Sequence, residues 1–156
     1  MRRLLLALVL ACAPSNPAAA DVDDEIDVTP LLQCVAAAGH EADALRACQG
    51  TITQPCFDAP LGETTYGMVM CLGAEGDAWA RVMDESLARL AAGNAELAPA
   101  LAETQATWSA YREEECNYRV QRWGLGSGAQ VAGASCHAQL TADRAITLLR
   151  YESEAD

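Results

Sequence analysis

Hydrophobic side chains recur at helical spacing across residues 101–149, which predicts two amphipathic helices joined by a turn. The first helix begins near Ala98, and the positions that share its apolar face are Leu97, Leu101, Trp108 and Tyr111. On the second helix the period continues through Cys136, Leu140, Arg144, Leu148 and Tyr151. A spacing of three or four residues places these side chains on one side of each helix and turns the glutamates of the first helix towards solvent.

Three glycines, Gly124, Gly126 and Gly128, separate the two helices. Glycine disfavours a helix interior and allows the chain to reverse, so we expect the helices to run antiparallel. Cys116 lies before the turn and Cys136 after it. Antiparallel packing brings two such cysteines to the Cα separation of about 4.4–6.8 Å that a disulfide requires. The pattern therefore predicts a disulfide-stapled helical hairpin.

The N-terminal half predicts shorter helices at residues 31–38 and 41–48, separated by a glycine. Residues 50–64 contain two prolines and two glycines, which predicts a loop. Thr64 or Thr65 then caps a helix that runs to about residue 92. No segment shows a strand pattern. The predicted fold class is all-α, a small disulfide-stapled helical bundle with antiparallel helical hairpins.

Residues 1–20 have the features of a secretory signal: a basic start at Arg2 and Arg3, a short apolar run, and alanines 18–20 before an acidic residue. No other apolar run is long enough to cross a membrane, which takes about 20 residues. An alternative is lipidation of Cys12, which would make it the new N-terminus. We predict a signal peptide at 1–20, an acidic flexible lead at 21–29 and a single helical domain at 30–152, in an exported protein that is periplasmic, secreted or lipid-anchored through Cys12.

The cysteine count supports export. Once Cys12 is removed or lipidated, an even set remains: Cys34, Cys48, Cys56, Cys71, Cys116 and Cys136. Six cysteines allow fifteen pairings, of which we favour the one that joins sequential neighbours, most strongly Cys116 with Cys136. On one continuous helix Cys34 and Cys48 would lie about 21 Å apart, so they pair only if the chain folds back near Gly39.

No residue pattern predicts a catalytic, metal or cofactor site, so we predict that the protein is not an enzyme. His40 and His137 lack the spacing of zinc ligands, and no C-x-x-C occurs. The glutamates at 113–115 diverge by about 100° per residue around a helix, which indicates a solvated face rather than a catalytic pair. His137 follows Cys136, but a paired cysteine is not a nucleophile.

The charge of the chain narrows its partners. With 22 acidic and 10 basic residues the formal net charge is −12, and loss of Arg2 and Arg3 leaves 22 against 8, a net charge of −14. Nucleic acids and anionic membranes are therefore not expected as partners. The charge favours a cationic protein partner, or it serves solubility alone.

Three tryptophans and two arginines are candidates for structure or binding. Trp79 and Trp108 lie on apolar faces, which predicts core positions. Trp123 lies at the mouth of the glycine turn, where an exposed aromatic side chain can anchor a partner. Arg112 and Arg144 border buried faces, so we expect each to join its helix to an acidic side chain or a carbonyl group.

The spacing of several residues resembles the N-terminal domain of the LprI-like lysozyme inhibitors, a family of bacterial proteins. The residues that carry the resemblance are Thr64, Thr65, Met68, Cys71, Glu75 and Trp79, then Gln105, Trp108, Tyr111, Arg112 and Cys116, and, after the turn, Cys136, Leu140, Thr141 and Arg144. The chain departs from the family pattern at Ala80 and Glu113, where aspartate is usual. Helical periodicity survives both changes.

The resemblance implies a small, disulfide-linked helical protein of the cell envelope that inhibits lysozyme. An acidic surface would be attracted to a cationic lysozyme. Insertion of a loop into the catalytic cleft would then block substrate, and two segments are candidates: the turn Gly124–Gly128 beside Trp123, and residues 58–63. The alternative is a non-catalytic structural or interaction module of the envelope with no hydrolase target. The oligomeric state stays open.

Overall fold

The computed structural model describes residues 26–154, so the predicted signal peptide and most of the acidic lead lie outside the described residues. Within that range the chain forms six α-helices and one 3-10 segment, and no strand. The helices are α1 (Thr29–Ala38), α2 (Ala42–Ala47), α3 (Thr53–Asp58), α4 (Thr65–Gly93), α5 (Ala98–Trp123) and α6 (Gly128–Glu154), with the 3-10 segment at Pro60–Glu63. The predicted all-α, disulfide-stapled bundle is confirmed.

Each disulfide joins cysteines that are neighbours in sequence order. Cys34 pairs with Cys48, Cys56 with Cys71, and Cys116 with Cys136, at Cα separations of 5.7, 5.8 and 5.4 Å. The first pair forms because Gly39 takes a positive φ of 59° and turns α2 back on α1. Each disulfide therefore closes one local reversal of the chain.

Residues 50–64 are not the loop that their prolines and glycines suggest, and this prediction was wrong. Helix α3 and the 3-10 segment occupy most of the stretch. The buried Glu75 carboxylate of α4 accepts hydrogen bonds from the backbone N–H groups of Gly50, Ile52 and Thr53. These N–H groups would otherwise lack partners at the start of α3. A distant side chain thus supplies the cap that the local sequence lacks.

The long helix α4 begins where its local sequence predicts. Thr64 accepts a hydrogen bond from the Gly67 N–H at 2.9 Å, an N-cap interaction. Gly67 has to be glycine, because a Cβ atom there would lie 1.6 Å from the Leu61 carbonyl oxygen of the 3-10 segment. The close approach holds the Cys56–Cys71 region against the start of α4.

Helices α4 and α6 run parallel and pack extensively against each other, while α5 runs antiparallel between their ends and packs mainly on α6. Gly76 lies against Ala138, where an added Cβ would be 3.3 Å from the Ala138 Cα, and further along the same helices Ser86 hydrogen-bonds to Glu152. The core is built from α1, α2, α4 and α6; its members include Leu31, Leu45, Trp79, Val82, Ala142, Ala145, Ile146 and Leu148.

Helix α5 is only lightly buried, which corrects the predicted apolar face. Leu101 and Trp108 are half-buried against the core, but Leu97 and Tyr111 are more than half exposed. Cys116 is the one buried residue of α5. The reason is topological, since α4 already covers the apolar side of α6 and leaves α5 a narrower and more polar contact.

Candidate functional site

The tip of the α5–α6 hairpin, residues 121–127, is exposed at every position. Helix α5 ends at Gly124, whose φ of 68° favours glycine and whose N–H donates to the Gln121 carbonyl at 3.1 Å. The Trp123 ring folds over the first residue of α6, because a Cβ on Gly128 would lie 3.0 Å from that ring. The structure therefore brings Trp123, Gly124, Gly126 and Gly128 into one compact turn.

The hairpin tip exposes two large hydrophobic side chains. Trp123 is 64% exposed although it packs on Gly128, and Leu125 is fully exposed. Neither side chain supports the core. Exposed apolar side chains grouped in one place mark interaction surfaces more often than isolated ones do.

A disulfide joins α5 and α6 at the base of the hairpin tip. Cys116 and Cys136 are both fully buried, and their bond lies seven residues before Trp123 and eight after Gly128. At a helical rise of about 1.5 Å per residue, the tip extends roughly 10–12 Å beyond this bond. The two helices are also in close contact above the bond, where a Cβ on Gly133 would lie 2.8 Å from Val120. The tip is thus an extension with a fixed base.

Further exposed hydrophobic residues lie at the same end of the bundle. Tyr66 lies ten residues before Gly76 on α4, and Gly128 lies ten residues before Ala138 on α6. Because Gly76 and Ala138 are in contact and the two helices are parallel, Tyr66 and Gly128 both lie about 15 Å from that contact in the same direction. Leu61, Tyr66 and Met70 are each more than two-fifths exposed. In the 58–63 segment four of the six residues are exposed, but Gly62 is buried against Phe57, which ties the segment to α3. Of the two segments suggested by sequence, only the tip is exposed at every position.

The charge of this region differs from that of the whole chain. Residues 116–142 contain no aspartate or glutamate and two arginines, Arg119 and Arg122, in a protein of net charge −12. Glu115 pairs with Arg119 at 3.0 Å. The hairpin tip is therefore a neutral to cationic feature on an acidic protein.

Most family-motif residues lie away from the tip, in a polar network between α5 and α6. Arg112 donates to Thr141 at 3.2 Å and to Glu113 at 3.0 Å, and its guanidinium stacks 5.1 Å from the centre of the Trp108 ring. Arg144 donates to the Gln105 side chain at 2.9 Å. Burial lowers the pKa of Arg144, partly opposed by Tyr151. The expected acidic or carbonyl partner exists for Arg112, and Arg144 donates to the carbonyl oxygen of a side-chain amide.

The other motif residues have separate places. Trp79 is fully buried in the core, and its indole N–H has no hydrogen-bond partner among the described residues. Thr65 and Met68 lie in the first turn of α4, next to the packed 3-10 segment. Tyr111 points outward and is 54% exposed. The motif residues are therefore spread over the core, the start of α4 and the α5–α6 interface.

The opposite end of the bundle holds a groove of about 710 Å³ that sequence reasoning missed. Its walls come from the end of α4, the start of α5 and the end of α6; they include His40, Arg89, Leu97, Leu101, Tyr151 and Glu152. Arg89 pairs with Glu152 at 2.9 Å. Burial raises the pKa of Glu152, but hydrogen bonds from Arg89 and Ser86 outweigh it and the net pKa is lowered. Leu97 and Leu101 lie on one apolar face at helical spacing, which is the sequence signal that could have indicated this groove.

The described residues contain no cluster of three or more metal-binding side chains. None of the helices in residues 26–154 is long and apolar enough to cross a bilayer. Cys136 is bonded to Cys116, so His137 has no thiol beside it to activate.

The family comparison agrees with this geometry. The sequence model of the family described as Lysozyme inhibitor LprI matches residues 56–148, more than half of the chain. The matched range begins at the second disulfide and ends within α6, and it includes all of α5 and the hairpin tip. Searches of curated proteins and of solved structures found no match.

Proposed function

The chain belongs to the LprI family of lysozyme inhibitors, and we propose that it binds and inhibits a cationic lysozyme-like muramidase by placing the hairpin tip in the substrate cleft. The observation that carries this proposal is the tip itself, seven consecutive exposed residues that present Trp123 and Leu125. Inhibition by occlusion needs a feature that projects from the protein surface, and the tip meets that need.

The brace below the tip supports tight binding. Association is weakened by the cost of ordering flexible groups, and a rigid binding segment reduces that cost. The Cys116–Cys136 bond and the stacking of Trp123 on Gly128 hold the tip before any partner arrives. Trp and other large apolar side chains also supply much of the energy of protein interfaces.

The acidic body supports fast association with a cationic target. A net charge of −12 attracts a positively charged partner over distances of about a Debye length, roughly 10 Å at 0.1 M salt. The inhibitor should therefore lose association rate as salt is added, while its dissociation rate changes little.

The disulfides support a location outside the cytoplasm. Three disulfides and family membership fit an extracellular or periplasmic protein. We propose that residues 1–20 direct export and that the protein meets its target outside the cytoplasm, where a muramidase attacks cell wall.

The test is cell-wall lysis by several lysozyme types in the presence of the oxidised exported protein. The double variant Trp123→Ala with Leu125→Ala should lose inhibition by at least about 30-fold, as expected for removal of binding hot spots. Its matched control is Leu97→Ala with Tyr111→Ala, which removes two hydrophobic side chains outside the tip that are each more than half exposed.

Equal inhibition by the tip variant and the control would reject the tip as the inhibitory element. Absence of inhibition of any lysozyme type by the wild-type protein would reject the proposed function. The chain would then be better described as an envelope interaction module, for which the groove at the opposite end is the available binding feature.

A further inference from the structure

Arg122 is an unusual cation in this protein. It lies in the last turn of α5, one residue before Trp123, within a stretch of 27 residues (116–142) that contains no aspartate or glutamate. No carboxylate of residues 26–154 pairs with it. Its environment therefore leaves the charge without a neutralising partner.

The neighbouring arginine is different. Arg119 is bonded to Glu115 at 3.0 Å, and both side chains are less than two-fifths exposed. Glu115 is the nearest acidic residue to Arg122 along α5, seven residues or about 10.5 Å away, and Arg119 already occupies it. Arg122 is thus the cation that the tip offers to a partner.

The Arg122 side chain is also partly positioned. Its guanidinium lies 5.9 Å from the centre of the Tyr118 ring, one helical turn back on α5. A guanidinium over an aromatic face keeps its N–H groups at the ring edge available for planar hydrogen bonding. Arg122 is thus an exposed cation that is held on one side by Tyr118.

We propose that Arg122 pairs with an ionised carboxylate in the target cleft, which makes it the specificity-determining residue of the tip. This inference rests on the proposed function. Enzymes that hydrolyse glycosidic bonds carry a pair of carboxyl groups flanking the scissile bond, and one of the pair is ionised in the resting enzyme. A guanidinium can hydrogen-bond such a carboxylate through two parallel N–H groups.

The charge pattern accounts for both stages of binding. The acidic body attracts the cationic surface of the target, and an acidic tip would then be repelled by the carboxylates inside the cleft. A tip without acidic residues avoids that repulsion, and the positive charge of Arg122 is attracted to the carboxylates of the cleft. The partner that fits is a protein with a cationic rim and an anionic cleft.

A structural role for Arg122 makes a different prediction. A cation in the last turn of a helix interacts favourably with the helix dipole, so its loss would lower stability and leave affinity unchanged. Thermal unfolding is therefore measured beside binding for every variant.

The test measures the dissociation constant of the full exported protein for a lysozyme that it inhibits. Arg122→Glu should weaken binding by at least about 30-fold, and Arg122→Lys, which keeps the charge without the planar fork, by about 3- to 10-fold. The matched control is Arg81→Glu, which makes the same change in net charge at an exposed arginine that also lacks an ion pair among the described residues. Counted by helical rise from the Gly76–Ala138 contact, Arg81 lies about 22 Å from the tip along the bundle axis. The Arg81→Glu substitution should therefore change the affinity by less than about 3-fold.

A second arm uses a target in which the ionised catalytic carboxylate is replaced by its amide. Against that target, Arg122→Gln should bind as well as the wild-type protein does, because the partner of the guanidinium is gone. Equal effects of Arg122→Gln on both targets, or equal affinities of Arg122→Glu and Arg81→Glu, would overturn the role of Arg122. Inhibition of a muramidase by the wild-type protein would survive that result, because it is rejected by a different observation, the absence of inhibition of every lysozyme type.

Discussion

Helix α6 packs mainly against two long helices, α4 and α5, and the two contacts differ in kind. Its contact with α4 is apolar and close, with Gly76 against Ala138 and with Trp79, Val82 and Ile146 in the common core. Its contact with α5 depends on one disulfide and a set of hydrogen bonds from arginine side chains. The first interface resembles the interior of any helical bundle, whereas the second fixes one helix by a few specific links.

The two interfaces divide the buried core from the exposed surface of the protein. The apolar side chains that α4 and α6 bury against each other supply stability, and they are not accessible to a partner. Helix α5 buries only Cys116 completely, so most of its surface and its C-terminal tip stay available. Loss of a link in the α5–α6 interface should therefore affect the tip before it affects the fold.

The largest effect is expected in the α4–α6 core. Replacement of the fully buried Trp79 by alanine should lower the free energy of unfolding by about 3–5 kcal/mol, because it removes a large side chain and leaves a cavity. Chemical denaturation measures the change. Tyr111→Ala, an exposed aromatic position on α5, should cost less than about 1 kcal/mol. Similar losses for both variants would contradict the assignment of stability to the core.

Removal of the disulfide in the α5–α6 interface comes next. The double variant Cys116→Ser with Cys136→Ser should lose about 3 kcal/mol, since the bond closes a separation of 20 residues. It should also weaken inhibition because the tip loses its brace. Cys34→Ser with Cys48→Ser, at a separation of 14, is the control for stability. If that control lost as much inhibition as the first variant, the brace would not be specific to the tip.

A smaller effect is expected for the polar network. Arg112→Met should destabilise the protein by about 1–3 kcal/mol, because the buried Thr141 hydroxyl loses its partner and Trp108 loses the guanidinium above it. Inhibition, measured well below the unfolding temperature, should be unchanged, in contrast to Arg122→Gln. Loss of inhibition without loss of stability would place Arg112 in the binding surface instead.

The smallest effect concerns pH at the groove end. Because the pKa of Glu152 is lowered in the folded protein, the stability that its ionised carboxylate contributes is fully present above the ordinary pKa of a glutamate. That stability is lost as the pH falls through the pKa of Glu152 in the folded protein. Glu152→Gln should therefore cost up to about 1 kcal/mol at neutral pH, since Arg89 is half exposed and solvent screens the pair. In acid the wild-type protein and the Glu152→Gln variant should have the same free energy of unfolding. Urea denaturation across that range checks the sign, and a difference that grew in acid would contradict it.

Local sequence was sufficient for the long helices. Thr64 caps α4, Ala98 and Pro99 open α5, and Gly124 ends it, each within a residue or two of the prediction. These signals act within one helical turn, because a cap, a proline or a glycine changes the backbone beside it. The tip was predictable for the same reason, since three glycines beside a tryptophan mark a reversal with an exposed aromatic side chain.

Other features depend on residues that lie far apart in sequence. Helix α3 exists where prolines and glycines suggested a loop, because Glu75 accepts the N–H groups of Gly50, Ile52 and Thr53 from more than twenty residues away. Leu97 and Tyr111 share the helical period of a buried face and are nevertheless exposed. Periodicity predicts that a face is apolar, but whether the face is covered depends on which helices pack against it in the folded protein.

The sequence by itself determined the helical class, the even set of cysteines, the acidic charge and the position of the hairpin turn, since composition and short-range patterns encode each of them. The tertiary structure alone decided that α4 and not α5 fills the apolar side of α6. It also decided that Arg112 and Arg144 join α5 to α6 and that Arg122 stands without an acidic partner among the described residues. These are matters of which surfaces meet, and burial and ion pairing are set only when distant segments compete for the same contact.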